Sequence, residues 1–286
     1  MVNNIITVDV EDWFHILDLR DEISIKDYSN LESRVERNTY TLLNILDEYK
    51  VKGTFFILGW VAQHFPHLIQ EICNRGHEVA SHSYAHKLCY KMNPEEFKED
   101  TVKSIQVVED IIGQKVLGYR APGFSIKQES LWTLDILVEL GIKYDSSIFP
   151  SRRGHGGLPG APIFPYYQTT LKGKEIFEFP ISCIKLFNLN IAFSGGGYLR
   201  LFPYRFIKWG IHKYNKLGYP VVIYIHPREI DPYHPRLKMP LYRRFKSYVN
   251  LSSTEKKLRL LLQNFSFKPM KQVFERYKKQ VAGGKK

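Results

Sequence analysis

The chain has 286 residues, 44% of them hydrophobic and 14% aromatic, enough to bury a full core as one large domain or two small ones. No apolar run approaches the roughly 18 residues of a membrane-spanning helix, and the opening MVNNIITVDVEDW lacks a basic region followed by a long apolar stretch, so it does not read as a leader. The formal charge of +12 would suggest nucleic acid, but residues 236–286 carry fifteen Lys/Arg against two Glu and residues 1–235 carry 26 against 27. The body is therefore neutral, which excludes nucleic acid as its partner. Any attraction to anionic lipid or to a phosphate-bearing substrate belongs to the C-terminal segment.

In chain order, Asn4–Val10 (NIITVDV) is apolar and β-branched, and predicts a buried strand ending in acid. Asp9, Glu11 and Asp12 cluster at its C-terminal end beside Trp13 and Phe14, a costly arrangement unless a cation or a hydrogen-bond network balances it. A helix is expected over Leu31–Tyr49, capped by Ser29 or Asn30, with Leu31, Val35, Leu42, Leu43, Ile45 and Leu46 buried. Residues 51–59 form a second strand, Pro66–Arg75 a short helix, and His77–Ser81 a third strand that runs into His82 and His86. A long helix over Pro94–Ile112 opens with an asparagine cap, a first-turn proline and two acids.

Further along, residues 115–123 read as a strand breaking at Pro122-Gly123, Glu129–Leu140 as a helix, and 142–150 as a strand. The glycine- and proline-rich stretch 151–165 is a loop, 175–182 a strand, and 193–203 a glycine-rich turn. A helix over Pro203–Leu217 leads to the apolar strand 219–227. Alternating strands and helices predict a parallel α/β architecture. Eight clean units are absent, so a distorted, incomplete (β/α) barrel is expected, with residues 1–235 forming it. Residues 236–286, where Leu258, Leu260, Leu261, Leu262, Phe265 and Phe267 interleave with the bases, form a basic helical extension packed on or flanking it.

His82 and His86 are four apart, a spacing that on a helix or a tight helical turn brings both imidazoles to one face and within reach of one divalent metal. Imidazole nitrogen suits zinc and its late first-row neighbours. In parallel barrels functional groups sit at the C-terminal ends of strands. Asp9, His82, Arg120, Asp145 and His226 all end expected strands. His77 reads as a core histidine, Gly195–Gly197 as a tight turn or a close backbone approach to a ligand, and Trp60 as core; Trp13, Phe14 and Tyr198 are candidates to stack on a ligand ring. Cys73, Cys89 and Cys183 are odd in number with no metal-type spacing, which fits a reduced, cytoplasmic setting.

The order TVDVED, HEVASHSYAH, YRAPGF, YDSS and YIHP resembles the five motifs of the polysaccharide deacetylases, carbohydrate esterase family 4 with its NodB-homology domain. More narrowly, VDVEDWFH, RVERNT, TFFILGW, SGGGYLR and IHPREID resemble the cytosolic subgroup of exopolysaccharide and exosortase-associated loci, which carries an extra C-terminal region. The resemblance implies a NodB-type barrel that removes acetyl groups from an N-acetylated glycan with a divalent metal, zinc first, with cobalt, nickel or manganese as alternatives. It implies that His82 and His86 bind the metal, that Asp9 is the general base, and that Arg120 holds that base. It further implies that the Gly123 N–H stabilises the oxyanion, that His226 is the general acid, and that Asp145 orients or charge-tunes it. Where the family has two adjacent aspartates, position 10 here is Val. The third ligand is then Glu11, on the same side of the strand as Asp9, or Asp12, favoured by the break expected there. Two alternatives keep the fold: an amidohydrolase of a non-sugar amide or cyclic ureide, and a catalytically inactive glycan-binding module. The implied setting is cytoplasmic, peripheral to the inner membrane face through the basic segment.

Overall fold

The computed structural model describes residues 2–17, 25–187 and 189–283. Its centre is β1 (Asn4–Val10), buried along its whole length. Around it the chain lays down α1 (Val35–Glu48), β2 (Thr54–Ile57), α2 (Gly59–His64), α3 (Pro66–Asn74), β3 (Glu78–Ser81), α4 (Pro94–Ile112) and β4 (Gly118–Tyr119). Then follow α5 (Trp132–Glu139), β5 (Tyr144–Asp145), β6 (Tyr166–Thr169) and β7 (Glu175–Glu178). A hairpin of β8 (Cys183–Leu186) and β9 (Leu189–Ala192) precedes α6 (Gly196–Leu201), α7 (Tyr204–Lys216) and β10 (Val222–Ile225). The chain closes with α8 (Leu241–Tyr248), α9 (Thr254–Asn264), β11 (Phe267–Lys268) and α10 (Met270–Gly283).

Strand order in the main sheet is β10-β1-β2-β3-β4-β5-β7-β6, with β11 also on β1. Every pairing is parallel except β6 with β7. The sheet curls without joining β10 to β6, the incomplete barrel expected from the alternation of elements. Because the strands run parallel, their C-terminal ends share one face, and the loops after β1, β3, β4 and β10 converge there. Helix α4 forms where its signals lie: Asn93 accepts from Glu96 N–H, Glu96 returns to the Asn93 N–H, and Gly113 ends the helix at φ 65°.

Helix α1 starts four residues later than expected. Neither Ser29 nor Asn30 caps it, since residues 28–30 make a separate short turn. The cap arrives from β1 instead: Asp12 Oδ2 accepts from Arg34 N at 2.9 Å and from Val35 N at 3.1 Å. The glycine-rich turn also proves shorter than expected, because Gly196–Leu201 winds into α6.

The C-terminal segment divides in two. Helices α8 and α9 pack on the outside, where Lys257 Nζ donates to the carbonyls of Leu199, Arg200 and Phe202 at 3.0, 2.7 and 2.9 Å and so caps α6. The last part does more than flank the barrel. Strand β11 pairs with Asn4 and Ile5 at the start of β1. Helix α10 then inserts Met270, Val273 and Phe274 into the barrel interior among Ile5, Phe56, Tyr144 and Phe177. Each such buried side chain stabilises the fold by about 1.5–3 kcal/mol. The first amides of α10 are met as well: Met270 N donates to Thr54 Oγ1 at 2.7 Å and Lys271 N to Glu78 Oε2 at 2.8 Å.

Candidate metal centre and catalytic site

The site grows from the end of β1. Past Val10 the strand breaks in a tight turn closed by Glu11 N–H to the Asp9 carbonyl at 3.0 Å. Alternation along the strand puts Asp9 and Glu11 on one face. Asp12, one step on, faces the other way. Its carboxylate caps residues 13–15, accepts from Ser33 Oγ at 2.6 Å and caps α1. Burial raises its pKa against these hydrogen bonds. The expectation that favoured Asp12 as third ligand is therefore corrected: its acceptors are occupied by α1, and Glu11 is the carboxylate beside the histidines.

The loop after β3 supplies those histidines. It is not a helix: Ser83 and His86 take left-handed backbone, φ 63° and 56°. The Asp100 carboxylate fixes the loop by accepting from Tyr84 N at 2.8 Å and Ala85 N at 2.9 Å. This bend brings the two rings together with centroids 5.3 Å apart. One ligand atom from each of Glu11, His82 and His86 lies within 4.8 Å of the other two, and all three residues are buried. His82 Nδ1 donates to the Arg120 carbonyl at 2.8 Å, which leaves the Nε2 lone pair aimed at the cluster. Burial lowers its pKa to about 4, so the ring is neutral and able to ligate. Glu11 Oε2 lies 2.9 Å from His86 Nε2 yet forms no hydrogen bond, and Oε1 lies 3.0 Å from His226 Nε2. Burial pushes the Glu11 carboxyl up, but the neighbouring imidazoles outweigh it and hold the group well below the usual carboxylate range.

Arg120, at the end of β4, is fully buried and has four acceptors. Nη1 donates to Asp9 Oδ1 at 2.6 Å and Thr7 Oγ1 at 2.8 Å, Nη2 to Ser146 Oγ at 2.9 Å, and Nε to the Ser146 carbonyl at 3.1 Å. A buried charge is tolerated on such terms. The clamp fixes Asp9 through one oxygen and leaves Oδ2, 3.8 Å from His226 Nε2, facing the site. Gly123, three residues on, has φ 62°, and a Cβ there would meet Leu17 at 2.4 Å. Only glycine keeps this turn and its N–H in place.

His226 ends β10. Its side chain, 15% exposed, is the most open of the group and faces the cleft. Burial lowers its pKa, but the Glu11 and Glu229 carboxylates outweigh burial and raise it to about 9. The partner on Nδ1 is Glu229, at 3.0 Å. Glu229 is in turn held by Arg200 Nε at 2.8 Å, which outweighs burial and drives its carboxyl far down. Asp145, expected to orient or charge-tune His226, is not the group on its Nδ1 and is held elsewhere. Its carboxylate accepts from Ser147 Oγ at 2.6 Å and Ser147 N at 3.1 Å, and Ser147 Oγ accepts from Ala121 N at 2.7 Å. Asp145 thus stiffens the turn after Arg120. Beside it the buried Glu178 carboxyl is pushed well up by burial and by the Asp145 charge. Glu229 and Arg200 were missed in the sequence, although His226-Pro-Arg-Glu229 has the three-residue spacing of a capping box and the structure contains one.

The curled parallel sheet thus carries an arginine-clamped aspartate, a histidine pair and a third histidine at its C-terminal edge. Residues 27–144 match the polysaccharide deacetylase family model, and residues 146–275 match a domain of unknown function (DUF3473). The chain is 28% identical over 120 residues to the peptidoglycan-N-acetylglucosamine deacetylase of Bacillus cereus, 38% of this chain and 44% of that protein. It is 30% identical over 107 residues to the peptidoglycan deacetylase of Helicobacter pylori, 37% of this chain and 36% of that one. The chain thus spans less than half the length of these curated relatives. Among solved structures it resembles a putative polysaccharide deacetylase from Mycobacterium smegmatis, at TM-score 0.64 and 21% identity over 98% of this chain and 91% of that one. An allantoinase shares the fold at TM-score 0.61 and 14% identity, covering 95% and 88% of the two chains.

Proposed function

We propose that this protein removes acetyl groups from an N-acetylated glycan with the help of a divalent metal held by Glu11, His82 and His86. The observation that carries the reading is the convergence of these three buried donors beside the clamped Asp9 and the cationic His226. The donor set fits a late first-row ion such as zinc: two imidazoles and one carboxylate, with Glu11 Oε2 buried and lacking a hydrogen bond. A metal bound there supplies Lewis acidity and lowers the pKa of water. Asp9, fixed through Oδ1, receives the proton of the attacking water on Oδ2. The Gly123 N–H faces the oxygen that gains charge. His226, protonated at neutral pH, gives its proton to the departing amine, which is too poor a leaving group as an anion. The products are acetate and a free amino sugar. A biosynthetic saccharide in an exopolysaccharide locus, acted on in the cytoplasm, is the substrate this reading favours.

The basic segment supports a peripheral contact with anionic lipid. Helix α8 exposes Leu241, Tyr242 and Phe245, and its sequence interleaves them with Arg243, Arg244 and Lys246. Aromatic and basic residues so mixed suit a headgroup interface. Among the described residues no helix is long and apolar enough to cross a membrane. Co-sedimentation with anionic vesicles should fall steeply with salt, and a distribution indifferent to salt would remove the idea.

Acetate release from N-acetylated oligosaccharides, before and after chelation and re-addition of zinc, tests the main reading. Release that persists after full metal removal, or in Asp9→Asn, contradicts it. Ring opening of a cyclic ureide without acetate release would establish the alternative chemistry.

A further inference from the structure

Arg153 has no role in the chemistry above, and its surroundings are unusual for a cation. It lies in the loop between β5 and β6, which packs onto the Gly123 turn: Gly157 N donates to the Phe124 carbonyl at 3.2 Å, and a Cβ on Gly156 would strike that same carbonyl. The guanidinium sits 5.1 Å from the Phe124 ring centroid and 4.7 Å from that of Phe149. Nη1 is buried and has no hydrogen-bond partner, and among the described residues no carboxylate pairs with the group. Aromatic faces satisfy a guanidinium's charge in part, but they leave its in-plane N–H donors unmet.

The position relates directly to the reacting groups. The Phe124 ring meets Tyr224 edge-to-face with centroids 5.0 Å apart, and Tyr224 lies 6.0 Å from the His226 ring. The guanidinium of Arg120, the clamp of Asp9, stands 5.6 Å from the centroid of the same Phe124 ring. The Arg153 charge also reaches Tyr224 and Cys183, where it pulls against the burial that raises both. A planar fork set against two rings, with its buried Nη1 unmet, is preorganised for a planar or tetrahedral oxyanion, which it can bind through paired N–H bonds.

We propose that Arg153 is an anion subsite at the rim of the catalytic cleft, receiving a carboxylate or phosphate carried by the glycan beside its N-acetyl sugar. The proposal rests on the deacetylase reading for the identity of the substrate, and not for the existence of the subsite. It makes the enzyme selective for acidic over neutral glycans. Such selectivity comes from the cost of leaving the buried Nη1 of a half-buried cation unpaired when a neutral sugar binds.

The test uses the full chain and three probes: N,N′-diacetylchitobiose as the neutral sugar, a glucuronate–N-acetylglucosamine disaccharide, and N-acetylglucosamine 1-phosphate. Acetate release gives kcat/KM for each, and titration calorimetry gives affinity without turnover. The wild type should prefer one acidic probe over the neutral one, and Arg153→Gln should lower that ratio about ten- to a hundredfold, the worth of hydrogen bonds to a charged group. Arg153→Lys, which keeps the charge but not the fork, should fall between. Which acidic probe shows the effect separates carboxylate from phosphate. Equal loss on acidic and neutral probes, or an unchanged ratio, overturns the subsite. If no probe releases acetate but the acidic ones bind and Arg153→Gln abolishes that binding, the subsite stands and the deacetylase reading falls. If acetate is released and no acidic probe binds better than the neutral one, the reverse holds.

Discussion

The two matched regions divide the site between them in unequal ways. Residues 27–144 supply His82 and His86 from the loop after β3, and Arg120 and Gly123 from the turn after β4. Residues 146–275, the region of unknown function, supply His226 together with Glu229 and Arg200 behind it, and Arg153 at the rim. Asp9 and Glu11 precede both. The first region carries the histidine pair and the arginine clamp. The second provides the remaining strands, His226 and, through β11 and α10, the seal on the opposite end of the barrel. Neither has a complete site or a closed core alone. The family boundary near residue 145 is thus not a boundary between independent folding units, since the two regions share one sheet through the pairing of β5 with β7.

If both regions contribute catalytic groups, a lesion in either should be severe. Asp9→Asn and His226→Ala should each lower kcat by about 10²–10⁴-fold, the usual worth of general acid–base catalysis, while bound metal per chain stays constant. Glu11→Gln should instead lose the metal itself, read by elemental analysis. Glu229→Gln, which leaves His226 without its charged partner, should cost less, about 10- to 100-fold of that same contribution. A Glu229→Gln enzyme as active as the wild type would mean that the Arg200–Glu229 pair serves the fold alone.

The seal can be broken separately from the chemistry. Phe274, 7% exposed and packed against Tyr144 and Phe177, should cost about 3–5 kcal/mol on truncation to alanine. Urea melts would show whether the loss unfolds the whole chain in one transition. Two separated transitions would indicate that the regions fold independently after all.

A finer probe lies at the start of β3, where neighbouring residues face the two regions. His77 accepts from Gly53 N within the first region, and burial lowers its pKa to about 4. Glu78 accepts from Lys271 N of the C-terminal helix, and burial raises its pKa to about 7. Between pH 4.5 and 6.5 the unfolded chain binds more proton at His77, so that group adds stability as pH rises. The folded chain binds more at Glu78, so that group removes stability over the same window. Each has a slope of up to about 1.4 kcal/mol per pH unit, and in the wild type they oppose one another. Glu78→Gln should therefore become less stable on acidification below pH 6.5, and His77→Gln less stable as pH rises from 4.5 towards 7. Parallel pH curves for both variants would contradict the opposed burial of these groups.

Local signals made much of this legible. The cap, proline and acids of α4, the apolar strands and the order of motifs all act within a few residues, and the curled α/β sheet followed from them. The rest depended on contacts across the chain. Nothing near Leu31 shows that α1 waits for a carboxylate 22 residues upstream of Arg34. Nothing near His226 shows that Asp145 is occupied by Ser147, leaving Glu229 to hold the imidazole. The basic segment was read from its charge, yet its last helix acts through three apolar side chains in the barrel.

The smallest expected effect separates adjacent carboxylates that composition cannot tell apart. Asp12→Ala removes a cap that meets two amides of α1, and caps of this kind are worth about 0.5–2 kcal/mol. Its melting temperature should fall by a few degrees, with one metal per chain retained and the affinity for zinc unchanged. Glu11→Gln is nearly isosteric and should show the inverse, with little change in the melt of the metal-free protein and loss of bound ion. Loss of metal from Asp12→Ala with Glu11 intact would restore Asp12 as the ligand and would mean that the cap on α1 is released when the ion binds.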